Sequence, residues 1–264
     1  METGTTKILA ENDQGIGWLT FNQPERRNAI SLEMWQGIMR ALDAFEDDPE
    51  VRVVVLRGAG DKAFTAGADI SEFDAKRADA AAAEEYRKIP EAGRVRMTAF
   101  RKPLIAMIRG FCMGGGLGVA MRADLRVAAS DAILGIPAAH LGLAYAFESL
   151  RSLTDLVGPA NAKEILFTAR RLGADEALRI RLVNRVVEPD QLVSEVRELA
   201  QQIAGNAPLT VEASRATINE LVKDESARDL DRIEGLNRRC MDSQDYAEGR
   251  RAFKEKRKPE FVGR

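Results

Sequence analysis

The stretch LIAMIRGFCMGGGLGVAMRADLRVA, residues 104–128, decides the fold class. It opens on the apolar run Leu104–Ile108 and closes on a second strand-like run, Asp124–Ala128, with the glycine-rich stretch Gly114–Gly118 between them. Short apolar runs bounded by glycine are typical of buried strands. The pattern therefore predicts two strands connected through a glycine-rich turn, with a helix expected after the glycines.

Strands and helices also alternate on either side of this stretch. Ile16–Phe21 alternates apolar positions, and Arg52–Leu56 is rich in β-branched residues, which predicts two strands, the second fully buried. Between them Ser31 is a good N-cap for a helix that ends before Pro49. Asp74–Phe100 predicts another helix, with a mobile front end. This alternation favours an α/β fold.

The last quarter of the chain carries only helical patterning. From Asp190 onward apolar positions recur at helical spacing and no strand pattern returns. We therefore predict a boundary near residue 195, between an α/β core (1–195) and a helical region (196–264). Since no low-complexity linker separates the two, the helical region is expected to pack on another surface.

Composition excludes several classes of function. The 39 Lys and Arg against 41 Asp and Glu provide no overall basic field for nucleic acid. There is no basic stretch followed by an apolar one at the start and no run approaching 18 apolar residues, so we expect a cytoplasmic protein without membrane contact. Cys112 and Cys240 lack the spacing of metal ligands or of a disulfide framework. We expect buried thiols and no metal.

Four segments resemble the enoyl-CoA hydratase/isomerase (crotonase) family. Two are specific motifs, AFTAGADI at Ala63–Ile70 and IRGFCMGGGL at Ile108–Leu117, and two more lie at Asn22–Ala29 and Asp245–Pro259. One glycine triplet would be weak evidence, but four segments in the family's order are strong evidence, and the resemblance extends over practically the whole chain. The resemblance implies a ClpP/crotonase spiral of ββα repeats, with C-terminal helices that build a homotrimer or a dimer of trimers.

The resemblance also implies a chemistry. Members of this family form the enolate of a coenzyme A thioester, whose charge backbone N–H groups stabilise. By motif match those donors are the amides of Ala68 and Gly115. The implied ligand is an acyl-CoA substrate, with no separate cofactor. Its binding residues are, by resemblance, Ala66, Ala68, Asp69, Ile70, Ser71, Gly115, Lys258 and Phe261. Asp69 is alternatively a helix N-cap, and the basic tail around Lys258 a solvated face.

Two positions depart from the pattern of a typical hydratase. The two glutamates that hold and activate water are replaced here by Gly118 and Ala138. Neither replacement can transfer a proton, and positioned acid–base groups are each worth about 10² to 10⁴ in rate. Hydration therefore needs a substitute. The candidates in the following loop are His140, Tyr145 and Glu148.

Three hypotheses follow for the function. The first is a lyase or isomerase of the family. The second is a decarboxylase, because residues 141–169 and the tail are more similar to the methylmalonyl-CoA decarboxylase branch, in which a tyrosine at the place of Tyr145 contributes to the site. That branch has a histidine where Ala68 stands here. The third is a protein that binds acyl-CoA without catalysis.

Overall fold

The structure, a computed structural model, describes residues 1–69, 71 and 80–264. Its strands are β1 (Ile8–Asp13), β2 (Ile16–Phe21), β3 (Val53–Gly58), β4 (Ala63–Thr65), β5 (Leu104–Ile108), β6 (Phe111–Met113), β7 (Leu125–Ala129), β8 (Ile133–Gly135), β9 (Leu172–Gly173) and β10 (Arg185–Val187). They form a six-stranded sheet in the order β1-β2-β3-β5-β7-β10 and a four-stranded sheet in the order β4-β6-β8-β9.

The helices cover the two sheets. They are α1 (Leu32–Asp47), α2 (Ala80–Ala99), α3 (Gly115–Ala120), α4 (Phe147–Thr168), α5 (Ala174–Arg179), α6 (Leu192–Ala204), α7 (Pro208–Leu221), α8 (Leu230–Met241) and α9 (Gln244–Glu255). A 3₁₀ turn at Pro137–Leu141 connects β8 to the loop before α4. In the described part of the chain, no helix is both long enough and apolar enough to cross a membrane.

Three consecutive strand pairs build a spiral. In each of the pairs β3–β4, β5–β6 and β7–β8, the first strand joins the six-stranded sheet and the second joins the four-stranded sheet. The strands of successive pairs run parallel in both sheets. The predicted α/β spiral of ββα repeats is therefore confirmed.

Strand β2 is buried along its whole length, although its alternating sequence predicts one exposed face. Leu19 and Phe21 pack in one apolar cluster with helix α1. Ile16 and Trp18 pack in a second cluster on the opposite face, which α6 covers through residues such as Val196. Because helices cover both faces of this sheet, both sides of the strand are interior.

The helical predictions agree with the structure where it describes them. The Ser31 hydroxyl accepts a hydrogen bond from the Met34 amide over 3.3 Å and caps α1. The helix predicted over Asp74–Phe100 is present as Ala80–Ala99, while its front end lies outside the described residues. The boundary predicted near residue 195 falls inside α6, so the division into two regions stays a prediction. Cys112 is buried and Cys240 is half-buried.

Candidate active site

Three hydrogen bonds fix the backbone around Ala68. The Thr65 hydroxyl accepts from the Gly67 amide over 3.1 Å. The Gly67 carbonyl then accepts from the Ile30 amide over 2.7 Å, and the Asp69 amide donates to the Ile30 carbonyl over 3.0 Å. In such a parallel bridge the residue between the two bonds turns its own N–H away from the partner strand. The Ala68 N–H therefore points away from Ile30.

The Gly115 amide opens helix α3. Gly114 precedes the helix with a φ of 53°, a left-handed conformation that glycine adopts without steric cost. The first N–H groups of a helix have no acceptor within the helix. The Gly115 N–H therefore points out of the helix end, where the macrodipole is positive.

The two amides lie side by side. A Cβ built on Gly115 would be 3.4 Å from the Ala68 nitrogen, and one built on Gly67 would be 3.2 Å from the Gly115 nitrogen. Gly67 has a φ of 107°, which only glycine adopts readily. Among the described residues, neither amide donates to another protein group. Two neighbouring free N–H groups are suited to bind one partly negative oxygen atom.

Asp69 is tied to its own loop. Its carboxylate accepts from the Ser71 amide over 3.1 Å and from the Ser71 hydroxyl over 2.6 Å, and it pairs with Arg26 at 3.1 Å. Burial, the largest influence on this carboxyl, opposes ionisation, but these hydrogen bonds together outweigh it and lower the pKa. The Asp69 carboxylate thus holds the backbone at Ser71, and its predicted contact with CoA stays a prediction. Ile70, predicted to bind the ligand, lies outside the described residues.

Tyr145 reaches the glycine turn from the loop before α4. Its hydroxyl oxygen is 3.6 Å from the position of a Cβ built on Gly114. The side chain is half-buried against the apolar core. Burial raises the pKa of the hydroxyl, while the charge of Arg94 acts in the opposite direction. Tyr145 therefore places a protonated hydroxyl beside Gly114 at neutral pH.

His140 and Glu148, the other candidate acid–base residues, lie elsewhere. His140 is exposed and lines a cavity of about 500 Å³, here called the Phe111 cavity. Glu148 is exposed in the first turn of α4 and lines a different cavity of about 470 Å³, here called the Arg122 cavity. Among the described residues, Tyr145 is the candidate whose side chain comes within 4 Å of a Cβ built on Gly114.

The Phe111 cavity adjoins the strands that carry the two amides. Ala66 and Met113 line it, and both precede the free N–H groups by two residues. The guanidinium carbons of Arg27 and Arg171 stand 5.0 and 5.7 Å from the centre of the Phe111 ring. Arg171 has no ion pair with any described residue. The cavity therefore offers positive charge and an aromatic face to a ligand.

The structure describes Gly118 and Ala138, the two positions that the sequence analysis matched to the glutamates of a typical hydratase. A Cβ built on Gly118 would meet no heavy atom of the described residues within 4 Å. Ala138 is buried in the 3₁₀ turn after β8. In contrast, Lys258 and Phe261 lie at the end of the chain beyond α9 and line neither cavity. Their predicted contact with CoA stays a prediction.

Sequence reasoning did not single out Arg94, Arg122 and Arg171, which the structure places in the two cavities. For Arg122 a signal was present. It follows Gly115 and Gly118 at spacings of seven and four residues, which keep side chains on one side of a helix. Arg94 and Arg171 come from distant segments, and only the fold brings them near the site.

Comparisons with known proteins agree with this architecture. A family model described as enoyl-CoA hydratase/isomerase matches residues 11–264. The chain is 38% identical over 261 residues to a crotonyl-CoA hydratase of Syntrophomonas wolfei, covering 97% of this chain and 98% of that protein. It is 34% identical over 252 residues to the methylmalonyl-CoA decarboxylase of Escherichia coli, covering 94% and 95%.

A solved structure gives the same result for the fold. The crystal structure of an enoyl-CoA hydratase/carnithine racemase from Magnetospirillum magneticum superposes with a TM-score of 0.92 at 39% identity, covering 98% of this chain and 97% of that one. The chain therefore belongs to the enoyl-CoA hydratase/isomerase family, and its fold is that of the crotonases.

Proposed function

We propose that this protein is an enzyme that binds an acyl-CoA thioester and stabilises its enolate with the amides of Ala68 and Gly115. The observation that carries the proposal is the pair of adjacent N–H groups, which have no acceptor among the described residues. Preorganised donors of this kind stabilise the charge that develops on a thioester oxygen, and removing one typically costs about 10² to 10³ in rate. The proposed substrate class is also consistent with the family.

Hydration by the usual pair of glutamates is not part of the proposal. Gly118 and Ala138 carry no group that transfers a proton, so another residue has to supply it. Tyr145 is the best placed candidate, because its hydroxyl lies beside Gly114 and burial keeps it protonated. We expect Tyr145 to donate a proton to the enolate carbon rather than to remove one.

Decarboxylation is the second candidate, and the same tyrosine favours it. Loss of CO₂ from a carboxylated acyl-CoA breaks a carbon–carbon bond and leaves its electron pair as the enolate. No base is needed, and a proton donor such as Tyr145 completes the product. The E. coli relative named for this reaction supports the alternative.

We further propose that the Phe111 cavity receives the phosphates of CoA. Arg27 and Arg171 present their guanidinium groups there, and such groups bind phosphate oxygens through charge-assisted hydrogen bonds. Arg171→Gln is expected to weaken binding of free CoA and to make it less sensitive to salt. Arg170→Gln is the matched control, because Arg170 is already paired with Glu164 and Glu176.

Assembly into a homotrimer or a dimer of trimers is proposed on the exposed apolar residues of the C-terminal helices. Phe253 is 86% exposed, Leu230 67% and Leu221 62% in the single chain. Large apolar side chains of this kind mark interaction surfaces when they cluster. Light scattering on the purified protein should give three or six times the mass of the chain.

The experiment that tests the proposed function follows the products from two thioesters. The purified protein is incubated separately with crotonyl-CoA and methylmalonyl-CoA, products are identified by mass spectrometry, and binding is read by thermal shift. Water addition supports a hydratase with a substitute residue, and CO₂ loss supports the decarboxylase. Binding of both without any product contradicts catalysis on these substrates and favours a binding protein.

A further inference from the structure

Helix α3 leads from the Gly115 amide toward Arg122, which lines the Arg122 cavity. Gly115 begins the helix and Arg122 follows its C-cap, Met121, with the Arg122 amide still bonded to the Val119 carbonyl over 3.0 Å. Gly118 lies between them on the same side, and a Cβ built there would meet no heavy atom of the described residues within 4 Å. A ligand held at Gly115 therefore meets no side chain from position 118 on its way toward Arg122.

Arg122 is half-buried, and the described residues provide no counterion for it. Its guanidinium makes no hydrogen bond or ion pair within the described residues. The carboxylates that act on it, Glu91 and Glu148, lie beyond ion-pair distance. Burial, followed by the like charge of Arg94, lowers the pKa of Arg122. An unpaired guanidinium in such a place is costly unless a ligand neutralises it.

The other cations of the Arg122 cavity already have carboxylate partners among the described residues. Arg94, whose charge acts on Arg122, pairs with Glu91 at 2.7 Å. The remaining pairs are Arg101–Glu46, Arg215–Asp124, Lys223–Glu220 and Arg232–Glu220. Arg122 is thus the cation of this cavity whose charge the described residues leave unmet.

Arg94 acts electrostatically on Arg122 and also on Tyr145, the candidate proton donor. Its guanidinium stands 5.9 Å from the centre of the Trp35 ring, and its charge acts on both Arg122 and the Tyr145 hydroxyl. Two like charges beside one partly desolvated cavity repel each other. An anion between Arg94 and Arg122 would therefore be stabilised by both.

We propose that the acyl groups taken by this site carry a second carboxylate, held by Arg122 with the support of Arg94. The proposal rests on the proposed function and names its substrate class: the CoA thioesters of dicarboxylic acids. Gly115 and Arg122 are separated by seven residues, about 10 Å along a helix axis. The arginine side chain spans part of this distance. The remainder suits a chain of a few carbons between the thioester and the carboxylate.

Isothermal titration calorimetry with two matched thioesters tests whether the site prefers an acyl group with a second carboxylate. Crotonyl-CoA and glutaconyl-CoA share the same enoyl thioester, and the second adds a carboxylate at the far end. The wild type is expected to bind glutaconyl-CoA about ten- to a hundredfold more tightly, as for a charge-assisted hydrogen bond. Equal affinities, or tighter binding of crotonyl-CoA, would overturn the inference and leave the proposed function standing.

Two variants locate the preference. Arg122→Gln should bind crotonyl-CoA as the wild type does and lose most of the preference for glutaconyl-CoA. Arg101→Gln, at a cavity-lining arginine that is already paired with Glu46, should keep the preference. If Arg122→Gln weakens both thioesters equally, the residue is structural and the inference fails. If the wild type binds neither thioester, the proposed function fails with it.

Discussion

Replacing Gly116 by alanine is predicted to increase the distance between the amides of Ala68 and Gly115, the two proposed oxyanion donors. A Cβ at this buried position would lie 2.3 Å from the Thr65 carbonyl oxygen and 2.8 Å from Thr65 Cγ2, whereas ordinary contacts begin at 3.4 Å. The shortfall to the oxygen is 3.4 minus 2.3, or 1.1 Å. Thr65 cannot move freely, because it belongs to β4 and its hydroxyl holds the Gly67 amide. Helix α3 therefore has to shift.

Gly116→Ala is expected to lower both the stability of the protein and its rate of turnover. Overpacking of this kind costs about 1–3 kcal/mol of stability. A displacement of about 1 Å at catalytic groups costs about 10² in rate. Urea unfolding measures the first, and the rate of thioester turnover measures the second.

Gly118→Ala is the matched control on the same helix. Its Cβ would meet nothing within 4 Å, and alanine is the better helix former by about 1 kcal/mol. This variant should be at least as stable as the wild type and should keep its turnover. If Gly116→Ala unfolds and turns over like the wild type, the reasoning about the close approach of α3 and β4 is refuted.

Three further predictions concern proton transfer and pH. The double variant Gly118→Glu with Ala138→Glu should raise crotonyl-CoA hydration by at least about 10², and each single variant by much less; no gain in the double variant would contradict the role given to these positions. Tyr145→Phe should reduce turnover with little change in CoA binding, whereas an equal loss of both would indicate a structural role. A hydrogen bond from Arg257 is the largest of the influences that lower the pKa of Glu248 to about 2, so the stability that Glu248 contributes is full above about pH 4.5 and is lost as the pH falls toward 2. The difference in melting temperature between Glu248→Gln and the wild type should therefore disappear over that range. A difference that stays constant with pH would contradict this prediction.

Local sequence predicted the elements whose burial is uniform. Leu104–Ile108 is predicted and found with the same bounds, because an apolar run in a sheet covered on both faces needs no alternation. Strands β4 and β6 were not predicted as strands, since each has only three residues, too short for a periodic pattern. They become strands by pairing with each other in the second sheet.

The candidate site also contains some residues that local sequence predicted and others that only the fold brings together. The Ala68 and Gly115 amides were predicted from motifs, because their geometry depends on glycines that are local in sequence. The Arg94–Arg122 pair was not predicted, because it joins α2 to the end of α3 and depends on how these helices pack. His140 and Glu148 were candidates by residue type and loop position, and the fold directs them to other cavities.

We propose that the Gly115 amide donates a hydrogen bond to the thioester oxygen, and the infrared carbonyl band of bound crotonyl-CoA reports that bond. Gly115→Pro removes the N–H at the first position of a helix, where proline is well tolerated, and Gly115→Ala keeps the N–H as the control. We expect a carbonyl band at lower frequency than in water for the wild type and Gly115→Ala, and a return toward the free value for Gly115→Pro. An unchanged band in Gly115→Pro would contradict it.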